Sequence, residues 1–169
     1  MGRVARPVVV ALGSNLGSRE THLQHAVRRL HGLLAGLRVS GPVETAPVGT
    51  PDPQGPYLNA VAVGVSSRSP RDLLAHLQRI EAECGRTRPY RYAPRTLDLD
   101  LILCGDEVVE EPDLQVPHPR FRERAFVLEP LCELAPSLRD PITGLTAEQL
   151  LERLRGTAVP GRGSADDTG

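Results

Sequence analysis

Arg95-Thr96-Leu97-Asp98-Leu99-Asp100-Leu101-Ile102-Leu103 alternates leucine with aspartate through its centre. Successive side chains of a strand point to opposite faces, so the stretch reads as a strand with Leu97, Leu99, Leu101 and Leu103 on the core face. Asp98 and Asp100 then share the other face, with Cα atoms about 6.6 Å apart at about 3.3 Å rise per residue. Aspartate is disfavoured in strands, so two of them in a central strand need a reason. A solvated strand face is the bland reason. The chemical one is metal binding, because two carboxylates at this spacing can bracket a pair of Mg²⁺ ions that also hold phosphate oxygens.

Working outward, Val8 to Leu12 is a valine-rich run that reads as a buried strand and ends in the turn Gly13-Ser14-Asn15-Leu16-Gly17. Leu23, Val27, Leu30 and Leu34 follow at helical spacing. A second strand is expected over Val39 to Glu44. Thr45 to Pro56 holds four prolines and reads as a loop long enough to suspect function. Tyr57 to Val65 reads as a third strand. Ser69-Pro70-Arg71-Asp72 is a helix start, with Leu73, Leu74, Leu77 and Ile80 on its buried face and Gly85 at its end. Arg86 to Pro94 is irregular and basic. After the acidic strand, Cys104-Gly105-Asp106 turns toward a short strand at Val108-Val109, and Val116 to Phe121 reads as a loop. Phe126 to Leu134 should form one or two helical turns, and Thr146-Ala147-Glu148-Gln149 looks like a capping box for a last helix through Leu154. The order strand, helix, strand, strand, helix, strand gives an α+β, ferredoxin-like fold: an antiparallel sheet with helices on one face, plus C-terminal additions. One domain over residues 1–155 and a disordered tail over residues 156–169 are expected.

Composition narrows the chemistry. The chain has 169 residues and a formal net charge of −1, so no global pull toward nucleic acid or a membrane surface is expected. It contains no Lys, which removes a phosphate-loop lysine, a Schiff base and a lysine general base. Any phosphate site must use arginine, histidine, metal or backbone N–H groups, and the planar guanidinium fork suits that work. Cys84, Cys104 and Cys132 are too far apart for a disulfide framework or a zinc site. No apolar run is long enough to cross a membrane, and the start lacks a signal-peptide pattern. A cytoplasmic monomer is the expectation.

Arg86, Arg88, Arg91 and Arg95 crowd the segment before the acids, and Arg120, Arg122 and Arg124 follow His118. Two basic segments flanking a carboxylate pair suit a triphosphate bridged by metal. His118 lies between two prolines, a rigid setting that suits either a placed side chain or a structural one. His22, His25, His31 and His76 read as surface or interface residues. A ligand-binding module without chemistry and a metal-dependent nucleotidyltransferase are the other readings. The near-neutral charge argues against the second.

The stretch Ala93 to Leu103 resembles the signature of the 6-hydroxymethyl-7,8-dihydropterin pyrophosphokinase family. Leu12 to Gly17, Tyr57-Leu58-Asn59-Ala60, Gln78 to Glu81, Gly85 to Arg88, Val116-Pro117-His118 and Arg124-Ala125-Phe126 resemble its other motifs, in its order. The resemblance implies transfer of pyrophosphate from ATP to the pterin hydroxymethyl group, with release of AMP, in folate synthesis. It implies two Mg²⁺ ions on Asp98 and Asp100, and ATP contacts from Arg86, Arg88, Arg95, His118, Arg124, Gln78 and Leu101. Arg86 and Arg95 join the two acids as the catalytic set. The pterin pocket it implies comprises Thr45, Val48, Tyr57, Asn59, Tyr92 and Phe126, with Thr45–Pro56 and Arg86–Pro94 closing over it. A flat pterin suits stacking between Tyr57 and Phe126, and its amide-like edge suits the mixed donor and acceptor of Asn59. Tyr92 stands where the family often has tryptophan, Ala93 where it has glycine, and Pro119 where an aromatic is common.

Overall fold

The structure, a computed structural model, describes residues 4–15, 17–46, 56–85 and 97–158, with side chains to residue 156. β1 (Arg6–Ser14) leads to α1 (Arg19–Leu33), then β2 (Ala35–Val39), β3 (Val43–Thr45) and β4 (Tyr57–Ser66). α2 (Pro70–Glu83) returns the chain to β5 (Asp98–Cys104). The start of α2 is as its sequence dictates: Pro70 opens the helix and the Ser69 hydroxyl accepts the Asp72 N–H at 3.1 Å. The sheet order is β2-β4-β1-β5, with β3 also on β4 and every pairing antiparallel. That is the ferredoxin-like order expected.

The strand expected over Val39 to Glu44 is two strands, both paired to β4. The break lies at Ser40-Gly41-Pro42. The Ser40 N–H donates to the Val61 carbonyl and its hydroxyl accepts the Val61 N–H, both at 2.9 Å. A side chain thus stands in for a ladder bond, and Pro42 has no N–H to resume one. Beyond β5, β6 (Val109–Glu111) and β7 (Leu114–Val116) form a hairpin, so β7 occupies the start of what reads as a loop in sequence. A short 3-10 turn at Phe121–Glu123 precedes α3 (Ala125–Leu134), whose 10 residues exceed the one or two turns expected and include Pro130. α4 (Ala147–Ala158) carries the expected capping box: the Gln149 N–H donates to the Thr146 hydroxyl at 3.2 Å, and the Thr146 N–H to the Gln149 side-chain oxygen at 2.9 Å.

Helices cover both faces of the sheet, not one. On the first face Val8, Val10, Leu12, Leu99 and Leu101 pack with Leu30 of α1 and Leu73, Leu77 and Ile80 of α2. On the second, Val9, Val61, Val63 and Ile102 pack under Val127, Leu128 and Leu131 of α3 and Leu150 of α4. Each buried aliphatic side chain contributes about 1.5–3 kcal/mol of transfer free energy, so both layers are stabilising.

Leu103 differs from its expected position. Val10 pairs with Leu101 but Val9 pairs with Leu103, so Ile102 is an extra residue in the ladder. This β-bulge shifts the alternation by one. Leu97, Leu99 and Leu101 lie in the α1/α2 layer as expected, and Leu103 lies in the α3/α4 layer.

Candidate active site

Among the described residues, the second face of the sheet is only half covered. Its far half carries Val9, Val61 and Val63 beneath α3 and α4. Its near half carries Gly13 and Ala11 of β1, Asn59 of β4, and Asp98 and Asp100 of β5. The register fixes this set: Gly13 lies opposite both Asn59 and Asp98, and Ala11 opposite Asp100. The two central positions are small, so the floor between the acids and the asparagine is a trough. A cleft of ≈ 550 Å³ opens over it, walled by Thr45, Tyr57, Phe126, Arg120, Arg124 and Glu123.

Gly13 sets the depth of the trough. A Cβ there would stand 3.3 Å from the Asn59 Oδ1 and 3.7 Å from the Tyr57 ring. Asn59 is buried, and its amide nitrogen donates to the Thr45 hydroxyl at 2.6 Å and to the Val43 carbonyl at 3.4 Å. Those bonds fix the amide and leave its oxygen as the group nearest Gly13. A ring seated between Tyr57 and Phe126 would meet that edge.

The acids are half-buried on this face, whereas Leu99 between them is 5% exposed on the other. Their strand is held from its outer edge. Glu81, 6% exposed on α2, accepts the Leu99 N–H at 2.7 Å. As donors, two carboxylates without thiol or imidazole fit a hard cation such as Mg²⁺, which fills its remaining positions with phosphate oxygens and water. Among the described residues no third His, Cys, Asp or Glu joins them. That suits Mg²⁺ better than a metal that needs a complete protein cage.

Positive charge gathers on one side of the cleft. Arg120 and Arg124 line it, and the Arg124 guanidinium lies 5.7 Å from the Phe126 ring centre. The His118 N–H donates to the Ile102 carbonyl at 2.9 Å, tying this segment to β5. Its ring Nδ1 accepts the Arg120 N–H at 3.1 Å, so the neutral ring carries its proton on Nε2. Burial, with Arg124 and Arg120 nearby, pulls the imidazole down to about 4, and only Asp98 pushes the other way. His118 is therefore a neutral N–H donor at pH 7.

Several expected residues lie elsewhere. Arg122, read in sequence with the basic ring, is committed to Asp140: Nε and Nη2 donate to its carboxylate at 2.6 and 3.0 Å. Leu101 is 5% exposed in the α1/α2 core, so its side chain does not face the cleft. Gln78 is exposed on α2 and is not among the lining residues. Arg86, Arg88, Arg95, Val48 and Tyr92, with the two expected closing segments, lie outside the described residues. Sequence reasoning gave Glu81 and Glu123 no role. A glutamate at a helix position whose neighbours are leucine and isoleucine was the available sign for the first.

Fold and cleft together define a small α+β enzyme with its pocket on the half of a sheet face that α3 and α4 leave open. The family described as 7,8-dihydro-6-hydroxymethylpterin-pyrophosphokinase matches residues 9–136. A Bacillus subtilis protein named 2-amino-4-hydroxy-6-hydroxymethyldihydropteridine pyrophosphokinase is 44% identical over 142 residues, covering 83% of this chain and 84% of its own length. A Pseudomonas aeruginosa protein of the same name is 43% identical, covering 79% and 83%. The chain belongs to this pyrophosphokinase family. Among solved structures, a Plasmodium falciparum HPPK-DHPS matches with a TM-score of 0.69 at 14% identity. It covers 89% of this chain, which spans 44% of that one, and the likeness concerns the fold.

Proposed function

We propose that this chain transfers pyrophosphate from ATP to the hydroxymethyl group of 6-hydroxymethyl-7,8-dihydropterin, releasing AMP, as a cytoplasmic, monomeric enzyme of folate biosynthesis. The observation that carries the reading is the juxtaposition on one half-face: Asp98 and Asp100 on one side of Gly13, and Asn59 with Tyr57 on the other. A pterin over the asparagine has its substituent directed toward the acids across a single strand.

Asp98 and Asp100 hold two Mg²⁺ ions. When bound, Mg²⁺ neutralises charge on the β- and γ-phosphates. Arg120 and Arg124 donate to non-bridging oxygens, joined by Arg86, Arg88 and Arg95. The His118 Nε2–H donates without adding a full charge. Thr45 and Asn59 fix the pterin edge, and Tyr57 and Phe126 clamp its faces, which supplies orientation in advance of reaction. The hydroxymethyl oxygen forms a bond to the β-phosphorus as the bond from that phosphorus to the α-bridging oxygen breaks, and AMP leaves with the electron pair. Asp98, on the pterin side of the pair, accepts the hydroxyl proton.

The test is product identity. With ATP, Mg²⁺ and 6-hydroxymethyl-7,8-dihydropterin, the purified protein should release AMP in a pterin- and Mg²⁺-dependent manner. Formation of ADP would mean single phosphoryl transfer. Neither product from a folded, ATP-binding protein would make it a binding module.

A further inference from the structure

On the opposite side of the sheet from the cleft lies a second cavity of ≈ 540 Å³, between α1 and strands β1 and β4. Its floor is apolar: Leu12, Leu23, Val27, Leu58 and Ala60. That volume is in the range of small-molecule pockets, about 300–1,000 Å³, which are largely apolar with a few placed polar groups. Here the polar groups form a stripe on one side of α1. Glu20, Gln24, Arg28 and His31 line the rim at steps of four, four and three residues, the spacing of one helix face.

These rim groups stand apart from the other charged residues of α1. Arg19 donates to Glu44 at 2.7 Å, and Arg29 and His25 both engage Glu83 of α2 at 2.7–2.8 Å. Among the described residues, the side chains of Arg28, His31 and Gln24 have no hydrogen-bond or ion-pair partner. The cavity wall adds a buried hydroxyl. Ser40 is 7% exposed, and its oxygen accepts the Val61 N–H at 2.9 Å. Its hydroxyl proton has no acceptor among the described residues. A donor nine-tenths buried in an apolar wall, in a cavity whose rim carries a cation, is built for a ligand that carries acceptors and little else that is polar.

We propose that this cavity binds an apolar carboxylate, an aromatic or short aliphatic acid, at a site separate from the catalytic cleft. The carboxylate meets the Arg28 fork, with His31 one turn further along the helix. The apolar body fills the space over Leu58 and Ala60, within reach of the Ser40 hydroxyl. Glu20 fixes the orientation. It lies two turns from Arg28, about 12 Å at 1.5 Å per residue, and repels the acid from the other end of the rim. Leu12 and Ala60 line this cavity and the cleft alike, so only the thickness of the sheet separates the two ligands.

The probe is 2-naphthoate, whose own emission is readable because the chain contains no Trp. One molecule should bind per chain. Saturating 6-hydroxymethyl-7,8-dihydropterin and a non-hydrolysable ATP analogue should not displace it. Arg28→Gln, an exposed change, should fold normally, keep unliganded AMP formation unchanged, and weaken naphthoate about tenfold or more, as expected for one lost charge-assisted hydrogen bond. Val27→Phe, which fills the cavity from the same helix, should abolish binding. No binding at millimolar naphthoate, displacement by pterin or nucleotide, or unchanged affinity in Arg28→Gln would each overturn the proposal.

Discussion

The Glu81 carboxylate accepts the Leu99 N–H at 2.7 Å, so a buried side chain on α2 grips the strand between its two acids. Without it that amide has no ladder partner on the outer edge of β5 among the described residues. Glu81→Ala should lower stability by about 1–3 kcal/mol, the cost of an unsatisfied buried donor. It should also raise the Mg²⁺ concentration for half-maximal activity several-fold. Glu81→Gln, which keeps an acceptor, should restore most of the Mg²⁺ response. Urea melts and Mg²⁺ titrations distinguish a positioning role from a structural one, which would leave the Mg²⁺ midpoint unmoved.

Asp98→Asn and Asp100→Asn preserve shape and remove charge on a half-exposed strand face. Each should lower AMP formation by about 10³-fold or more while the melting temperature stays within a few degrees, since little core packing is touched. Near-normal turnover in either variant would remove the carboxylate pair from the mechanism.

Gly13→Ala adds a methyl 3.3 Å from the Asn59 Oδ1. Contact that close forces the amide to shift, so the pterin KM should rise about tenfold, a loss near 1.4 kcal/mol. ATP affinity should be unchanged, because the methyl lies on the asparagine side of the trough. Separate titration of the two substrates reads the difference.

His118, pulled down to about 4 by burial and by Arg124 and Arg120, has a folded value below its ordinary 6.5. Between those values the unfolded chain binds more protons than the folded one. This contribution to stability is present above about pH 6.5 and is lost as pH falls toward 4. Proton NMR of the free protein should show one imidazole titrating near 4. In His118→Asn the decline in urea midpoint between pH 7 and pH 5 should be shallower.

Asp140 is 1% exposed and accepts from Arg122, the Ile142 N–H and the Thr143 hydroxyl, closing the segment between α3 and α4. Burial pushes its carboxyl up, but the Arg122 and Thr143 hydrogen bonds win and hold it below the usual carboxylate range. That stabilisation is present above about pH 4 and is lost as pH falls below it. Asp140→Ala should cost about 3 kcal/mol, and the loss should shrink in acid. Differential scanning calorimetry at pH 7 and pH 3.5 makes the comparison.

The acidic strand, the sheet and its strand order were legible because alternation and turn residues encode them locally. The acids, Tyr57, Asn59, Thr45, Phe126 and Arg124 were also legible, and the structure brings them to one cleft. What sequence did not reveal depends on partners far along the chain. Arg122 reads like Arg120 and Arg124, and only the fold sets it against Asp140, 18 residues on. Glu81 reads as one helical acid among several, and only the fold buries it. The second layer of helices was missed because Phe126–Leu134 is apolar nearly all round, which signals burial without saying against which face.

Ile102 has no residue opposite it, and the consequence is a frame, in the sense that a coding sequence has one. Pairing in a sheet counts in twos, and a single supernumerary step changes which side every later residue serves. Exchange of Ile102 for valine or leucine leaves the count intact. Loss of this one residue would remove the bulge and restore strict alternation, with Leu103 still in its layer and both carboxylates still on the cleft face, but it would take away a fully buried side chain and the carbonyl that accepts the His118 N–H. The site thus depends on a residue that touches no substrate through the segment that carries His118, not through the side its acids face.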